Sequence, residues 1–316
     1  MTDIATIKDF RTIYADTLIE LAHEDPRVVV FEADLMSATG TKPFKELFPE
    51  QFINCGVAEA NMVGIASGIS SQGFIPFVNT FGCFATRRAY DQFFLSANYA
   101  RQNVKLVGLD PGITAAFNGG THMPFCDIAL TRAIPDLVVV EPSDGWAVHH
   151  LTKAVYAHRG SAYVRLQRKG NPIFYDANQT FELGKGIIVQ DGKDVTLIAT
   201  GAVMLEQAIL ASQSLEKENI SAAVLDMHTI KPLDKELVLS FAKKTNAIVT
   251  CENAQMAGGL GSAVSEFLAE EYPTLVRRVG IQDLFGEVGT VEYLINRFAL
   301  TAKHIVQEAK EAIKRR

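Results

Sequence analysis

Phe10-Arg-Thr-Ile-Tyr-Ala-Asp-Thr-Leu-Ile-Glu-Leu-Ala-His-Glu-Asp-Pro-Arg-Val-Val-Val-Phe-Glu-Ala-Asp34 contains two different periodicities. Phe10, Ile13, Tyr14, Thr17, Leu18, Leu21 and Ala22 recur at helical spacing, whereas residues 27–31 form a short β-branched run that ends in Glu32-Ala-Asp34. A helix followed by a buried strand is the expectation. The alternation continues with strands at 52–55, 74–78, 104–109, 137–140 and 162–166, separated by helices at 58–72, 83–98, 126–133 and 144–157. Strands that read as continuous apolar runs, rather than alternating ones, are buried on both faces. They predict a mostly parallel sheet with helices on either side.

Residues 170–186 interrupt this pattern with turn formers, among them Gly170, Asn171, Pro172, Asp176, Asn178, Gly184 and Gly186. Beyond them the alternation restarts: strands at 195–199, 222–225, 248–251 and 276–279, helices at 202–217, 233–244, 259–270, 291–298 and 301–315. The sequence therefore predicts two doubly wound α/β domains, 1–180 and a smaller 181–316. No repeat period or low-complexity segment interrupts them.

Composition narrows the function. Across 316 residues, 48% are hydrophobic and 21% charged, which sets disorder aside, and 30 Lys+Arg against 36 Asp+Glu leave a net charge of −6. A nucleic-acid partner is not expected without a basic field. The basic run at Lys310–Arg316 closes a predicted helix, where cations favour the C-terminal dipole. The apolar runs are far shorter than the roughly 20 residues that span a bilayer. Met1–Phe10 lacks the basic start and apolar block of a secretory signal. Cysteines 55, 83, 126 and 251 show neither CxxC nor paired spacing, so a reducing cytoplasm is the expected compartment.

In a parallel sheet the ligand crevice lies beyond the carboxyl ends of the strands. Asp34, Gly56 with Glu59, Thr80-Phe81, Asp110 and Glu141 fall there. Glu59 opens a helix that is otherwise small and apolar; it reads either as a partner of the helix dipole or as a carboxyl whose apolar surround favours the protonated form. Phe81 and Phe84 fall three apart on one helical face, with Phe93 and Phe94 further on, as core residues or as a ligand surface. Residues 115–122 form a small-residue loop ending in His122, able to wrap a ligand. His149-His150, and His304 with Glu308, lack a third metal ligand and read as surface residues, while Gly258-Gly-Leu-Gly261 opens a helix and suits close packing or an anion.

Taken together, several segments resemble transketolases and 1-deoxyxylulose-5-phosphate synthases. Cys55-Gly-Val-Ala-Glu-Ala-Asn-Met62 is similar to their Gly-Val-x-Glu-x-x-Met segment, and Thr80-Phe-Gly-Cys-Phe84 with Arg88-Ala-Tyr-Asp-Gln92 resembles the segment that holds the cofactor ring. Gly119-Gly-Thr-His122 and the stretch from Arg132-Ala-Ile-Pro-Asp136 to Glu141-Pro-Ser-Asp144 resemble the substrate loop with its succeeding helix and strand. Residues 196–201, 226–233 and 252–261 resemble the family's last domain, so the likeness runs over nearly the whole chain.

The resemblance implies thiamine diphosphate as cofactor. Glu59 would be the carboxylic acid at N1′ of the aminopyrimidine, Phe81 and Phe84 would pack on that ring, and Arg88 follows, with Arg87 as the alternative at that family position. Asp34 and Leu35 would also line the cofactor. His122 would contact substrate oxygens, Arg11, Arg168 and Ser37 would take an anionic end of the sugar, and phosphate and sulfonate both suit arginine. The sequence has no Gly-Asp-Gly, the motif through which full-length relatives bind diphosphate and metal. The implied protein is the C-terminal subunit of a split transketolase. Mg²⁺ (or Ca²⁺) would then be held by a separate N-terminal subunit rather than by this chain, in an α2β2 assembly.

Three positions depart from the family patterns. Asp110 stands where sugar-phosphate transketolases have His, and Asn118 where they have Asp; Pro111 stands where the synthases have Arg. Both Asp110 and Asn118 remain candidate substrate contacts, with donor and acceptor left open. The expected activity is transfer of a two-carbon ketol unit from a ketose to an aldose. The alternatives are a deoxyxylulose-phosphate-synthase-like subunit, a 2-oxo acid dehydrogenase E1 β-like subunit, and a non-catalytic regulatory subunit.

Overall fold

The computed structural model describes residues 9–170 and 172–316. Met1–Lys8, most of the stretch read for a secretory start, and the turn former Asn171 lie outside the described residues.

The first sheet grows from α1 (Phe10–Glu24), β1 (Val28–Glu32), two short helices α2 (Met36–Thr39) and α3 (Lys42–Leu47), β2 (Phe52–Asn54), α4 (Glu59–Ser70) and β3 (Ile75–Phe81). It continues with a short α5 (Tyr90–Gln92), β4 (Lys105–Leu109), α6 (Asp127–Arg132), β5 (Val138–Val140), α7 (Gly145–Ala157) and β6 (Ala162–Leu166). The second is built from β7 (Ile187–Gln190), β8 (Val195–Ala199), α8 (Gly201–Glu216), β9 (Ala222–Asp226), then β10 (Thr229–Lys231), α9 (Lys235–Thr245), β11 (Ile248–Gln255), α10 (Leu260–Glu271) and β12 (Val276–Ile281). Helices α11 (Val291–Arg297) and α12 (Ala302–Arg315) close the chain.

The first sheet has the order β10-β5-β6-β4-β3-β1-β2, and the second β12-β11-β8-β9-β7. Pairing is parallel except at one edge of each, where β10 runs against β5 and β7 against β9. Strands β1, β3, β4 and β6 are buried along their whole length, as strands covered on both faces must be. Val28, Val30 and Phe77 pack on one face of the first sheet, Val29, Phe31 and Val78 on the other. The fold is therefore the expected pair of α/β units.

Two strands escape the sequence reading, and one matters for architecture. β10 has only three residues and lies among those of the second unit, yet it completes the first sheet. The expected helix over 83–98 is also broken. A wide, π-type turn over Phe84–Arg88 and another over Phe93–Tyr99 flank α5. Such bulges rotate the side chains beyond them and are frequent at functional sites. Phe81 is consequently not on a helical face with Phe84: it is the last residue of β3.

Polar groups are buried between the two units. Arg165 is fully buried, with Nε 2.7 Å from Asp127 Oδ2, Nη1 2.5 Å from Glu141 Oε2, and Nη2 donating to the Asn253 carbonyl at 3.1 Å. Burial opposes its charge, but the two carboxylates outweigh burial and raise its pKa. Asn253 in turn receives the Ile113 N–H and donates to the Pro111 carbonyl, so β11 of the second sheet holds the loop after β4 of the first.

Candidate active site

The carboxyl ends of β1, β2, β3, β4 and β6 bring most of the singled-out residues into one connected set. Glu59 begins α4 and is 1% exposed; Arg88 Nη1 lies 2.8 Å from its Oε2. The Arg88 guanidinium then lies over the Phe84 ring, 4.2 Å from its centroid. Phe84 meets His122 edge-on at 5.2 Å, and His122 meets Phe81 at 5.7 Å. Arg168 covers Phe81 from the other side at 5.1 Å and forms an ion pair with Asp110 at 2.6 Å. The chain of contacts therefore runs Glu59, Arg88, Phe84, His122, Phe81, Arg168, Asp110.

The surround of Glu59 is not purely apolar, because the π-type turn at Phe84–Arg88 swings Arg88 onto it. Arg87, the alternative, points elsewhere and donates to the Thr121 carbonyl at 2.9 Å. Glu59 Oε1 is buried and has no hydrogen-bond partner among the described residues. A buried acceptor without a partner is costly, and a ligand that supplies one removes the cost.

The other residues approach from α1 and the loop after β1. The Arg11 N–H donates to the Arg168 carbonyl at 3.2 Å. Its guanidinium holds the carbonyls of Ser37 and Ala38, both at 3.3 Å. Leu35 packs against the same apolar cluster as Phe84. Asp34 and Ser37 are exposed. Asn118 is exposed at the end of a 3₁₀ turn, and its side chain joins none of these groups among the described residues.

Several contributors have no motif of their own. Asn54 Oδ1 accepts the N–H groups of Asp34 and Gly56, pinning the ends of β1 and β2 together. Thr121 Oγ1 lies 2.9 Å from His122 Nδ1. Glu32, at the end of β1, accepts the hydroxyls of Thr39 and Thr41 at 2.7 Å each and so ties down the loop that carries Asp34, Leu35 and Ser37. Asp34, two residues past β1, and Asp110, the residue after β4, both take positive φ, 64° and 55°. That region is strained for residues with a Cβ, although aspartate tolerates it better than most, and such strain gathers at functional sites. Burial pushes the Asp110 carboxyl up to about 6 despite the opposing effect of Arg168, and burial likewise pushes Glu32 up to about 8.

Other expectations are corrected. His150 is not a surface residue: it stacks between Trp146 and Phe181, its Nε2 is buried, and burial lowers its pKa. His149 and His304 are largely covered too, at 14% and 23% side-chain exposure, because both sit on the inner flanks of their helices. At Gly258–Gly261 the helix N-terminus is filled from within, since Glu252 accepts the N–H groups of Leu260 and Gly261 at 2.7 and 2.8 Å. A Cβ on Gly259 would fall 1.8 Å from that carboxylate, which explains the glycine. Among the described residues no cluster of three or more His, Cys, Asp or Glu is placed to hold a metal, and no helix is long and apolar enough to cross a membrane.

Residues 7–172 match the transketolase pyrimidine-binding domain and residues 184–305 the transketolase C-terminal domain. The chain belongs to the transketolase family. Relatives of matching length include proteins named as transketolase subunits. A 6-deoxy-6-sulfo-D-fructose transketolase subunit of Clostridium sp. (strain MSTE9) is 47% identical over 97% of this chain and 95% of its own. An apulose-4-phosphate transketolase subunit of Phocaeicola vulgatus is 34% identical over 96% of this chain and 97% of its own. Among solved structures, a split-gene transketolase described as an inactive β4 tetramer superimposes with a TM-score of 0.89 at 39% identity, covering 97% of this chain and 98% of that one.

Proposed function

We propose that this chain is the pyrimidine-binding half of a thiamine-diphosphate-dependent transketolase that moves a two-carbon ketol unit from an anionic ketose to an aldose. The observation that carries the reading is Glu59: a buried carboxyl, one oxygen on Arg88 and the other without a partner, beside the Phe84 ring. An aminopyrimidine fits that arrangement, because it offers a ring nitrogen to the orphaned oxygen and a flat face to an aromatic side chain.

Bound thiamine diphosphate supplies the nucleophilic carbon that carries the ketol unit. Glu59 Oε1, buried and without a partner, would hold the proton shared with the ring nitrogen of the pyrimidine. Phe81, Phe84 and Leu35 form the apolar wall, and Asp34 lines the cofactor from the exposed rim. His122, its ring set by both phenylalanines and its Nδ1 by Thr121, has Nε2 left to contact substrate oxygens. Arg11 and Arg168 take the anionic end of the sugar, with Ser37, Asp110 and Asn118 at the margin.

The family's diphosphate and Mg²⁺ or Ca²⁺ site belongs, in this reading, to an N-terminal partner subunit, in an α2β2 assembly located in the cytoplasm. Pyrimidine-binding and C-terminal domains at 1–180 and 181–316 make up this subunit. The likeness to proteins named as subunits of sulfofructose and apulose-phosphate transketolases supports the division of labour.

Calorimetric titration of thiamine diphosphate with Mg²⁺ tests it, first on this chain alone and then on the chain co-purified with the partner. Tight binding only in the mixture is expected, followed by turnover of an anionic ketose. Tight binding to the chain alone would place the diphosphate site here, and none in either would favour a non-catalytic subunit.

A further inference from the structure

Both arginines assigned to the anionic end of the sugar already have aspartate partners. Arg168 directs Nε and Nη2 to a single oxygen, Asp110 Oδ2, at 2.6 Å each, and the Asp110 side chain is 2% exposed. Arg11 Nη2 lies 3.5 Å from Asp9 Oδ2, and Nη1 is occupied by the Ser37 and Ala38 carbonyls. The Arg11 N–H to Arg168 carbonyl bond holds the two cations on adjoining segments, so they act on one region. Two guanidinium groups and two carboxylates leave that region close to neutral. The other cation facing Asp110, Lys169, is exposed to solvent, where its charge is screened.

A neutral pair of ion pairs treats sulfonates and phosphates differently. A sulfonate carries one negative charge at any working pH. A phosphate monoester has a second pKa of about 6 and carries nearly two above it. The first charge can sit on the free edge of Arg168, whose face lies against Phe81. The second finds no uncommitted guanidinium and lies within reach of Asp110 instead, a like-charge contact in a poorly solvated place.

From this geometry we infer that Asp110 makes the site selective for ketoses ending in a singly charged sulfonate over those ending in a doubly charged phosphate. The inference rests on the reading above that Arg168 contacts the anionic end of the sugar. Asp110 is a specificity residue in this account: it leaves the ketol chemistry alone and acts by limiting the charge that Arg168 can accept.

The test uses the two-subunit enzyme with cofactor and metal, one aldehyde acceptor, and two donors, 6-deoxy-6-sulfofructose and fructose 6-phosphate, assayed above the second phosphate pKa. The wild type is expected to favour the sulfonate in kcat/KM by about tenfold or more, and Asp110→Asn to remove most of that preference by improving the phosphate. Arg168→Ala is expected to raise KM for both donors. Equal kcat/KM for the two donors in the wild type overturns the inference. So does an unchanged ratio in Asp110→Asn while Arg168→Ala still weakens both, an outcome that leaves the anion site itself standing. Unchanged KM values in Arg168→Ala overturn the anion-site reading and the inference with it. If Asp110→Asn does not fold, the wild type serves alone: its preference must shrink as pH is lowered and the phosphate takes up its second proton, and a pH-independent ratio overturns the inference.

Discussion

Arg88 Nη1 lies 2.8 Å from Glu59 Oε2, although 29 residues separate them and the sequence gives Glu59 only small, apolar neighbours. The contact leaves Oε1 as the buried oxygen without a partner, so the guanidinium both orients the carboxyl and selects which oxygen is available. Glu59→Gln keeps the size of the group but cannot share the proton. With partner subunit, metal and saturating cofactor, its turnover is expected to fall by about 10²–10⁴. Stopped-time assay of ketol transfer checks this, and near-normal turnover would remove Glu59 from the chemistry. Arg88→Ala is expected to lower turnover less, because Glu59 remains but loses its orientation.

A second prediction concerns the turn that carries His122. A Cβ on Gly120 would fall 2.0 Å from the Gly286 carbonyl oxygen, and one on Gly286 2.9 Å from the Gly120 Cα. What a Cβ on Gly120 meets is the Gly286 backbone alone, with no flexible side chain to yield. Gly120→Ala must therefore push the turn away from the segment after β12, at a cost of about 1–3 kcal/mol. Thermal unfolding should show a lower midpoint, and KM for the sugar should rise because His122 moves off Phe81 and Phe84. A variant with wild-type midpoint and KM would show that the two segments separate freely.

These two cases mark how much could be read from the sequence. The parallel sheets were legible because strands buried on both faces are written as unbroken apolar runs, Val28–Phe31 and Val138–Val140 among them. Glu59, Phe81, Phe84 and His122 were legible as pieces of motifs, each ambiguous by itself. What joins them was not. The Arg88 contact depends on a wide turn that apolar periodicity does not encode, and Phe81 sits on a strand end where spacing suggested a helix. β10 has three residues and finds its sheet partner far away in the chain, so no local signal announces it. The ion pair between Asp110 and Arg168 was invisible for the same reason: 58 residues separate two groups that the strand order β6-β4 makes neighbours. Asp110 stood out in the sequence as a strand-end carboxylate and as a departure from the family pattern, and neither signal named its partner.

The last prediction concerns Glu32. Its Oε1 accepts the hydroxyls of Thr39 and Thr41, its Oε2 is buried without a partner among the described residues, and burial pushes its pKa from 4.5 up to about 8. A carboxyl raised in the folded state binds a proton there more tightly than in the unfolded chain. Its favourable contribution is therefore complete below the unfolded value and is lost as pH rises through about 8. The nearby phenol of Tyr14, itself buried and pushed up by burial and by Glu32, stays neutral across that range and adds no opposing charge. Glu32→Gln retains a carbonyl oxygen for the two hydroxyls and removes the titration. Thermal midpoints of the two proteins should nearly coincide below about 4.5, and the variant should gain on the wild type between there and about 8, keeping a constant lead at higher pH. Because Glu32 fastens the loop bearing Asp34, Leu35 and Ser37, the same titration should loosen the wild-type site: KM for the sugar should climb at alkaline pH in the wild type and less in Glu32→Gln. A constant difference in midpoint at every pH would show that Glu32 is ionised throughout and that the two threonines hold it as a carboxylate.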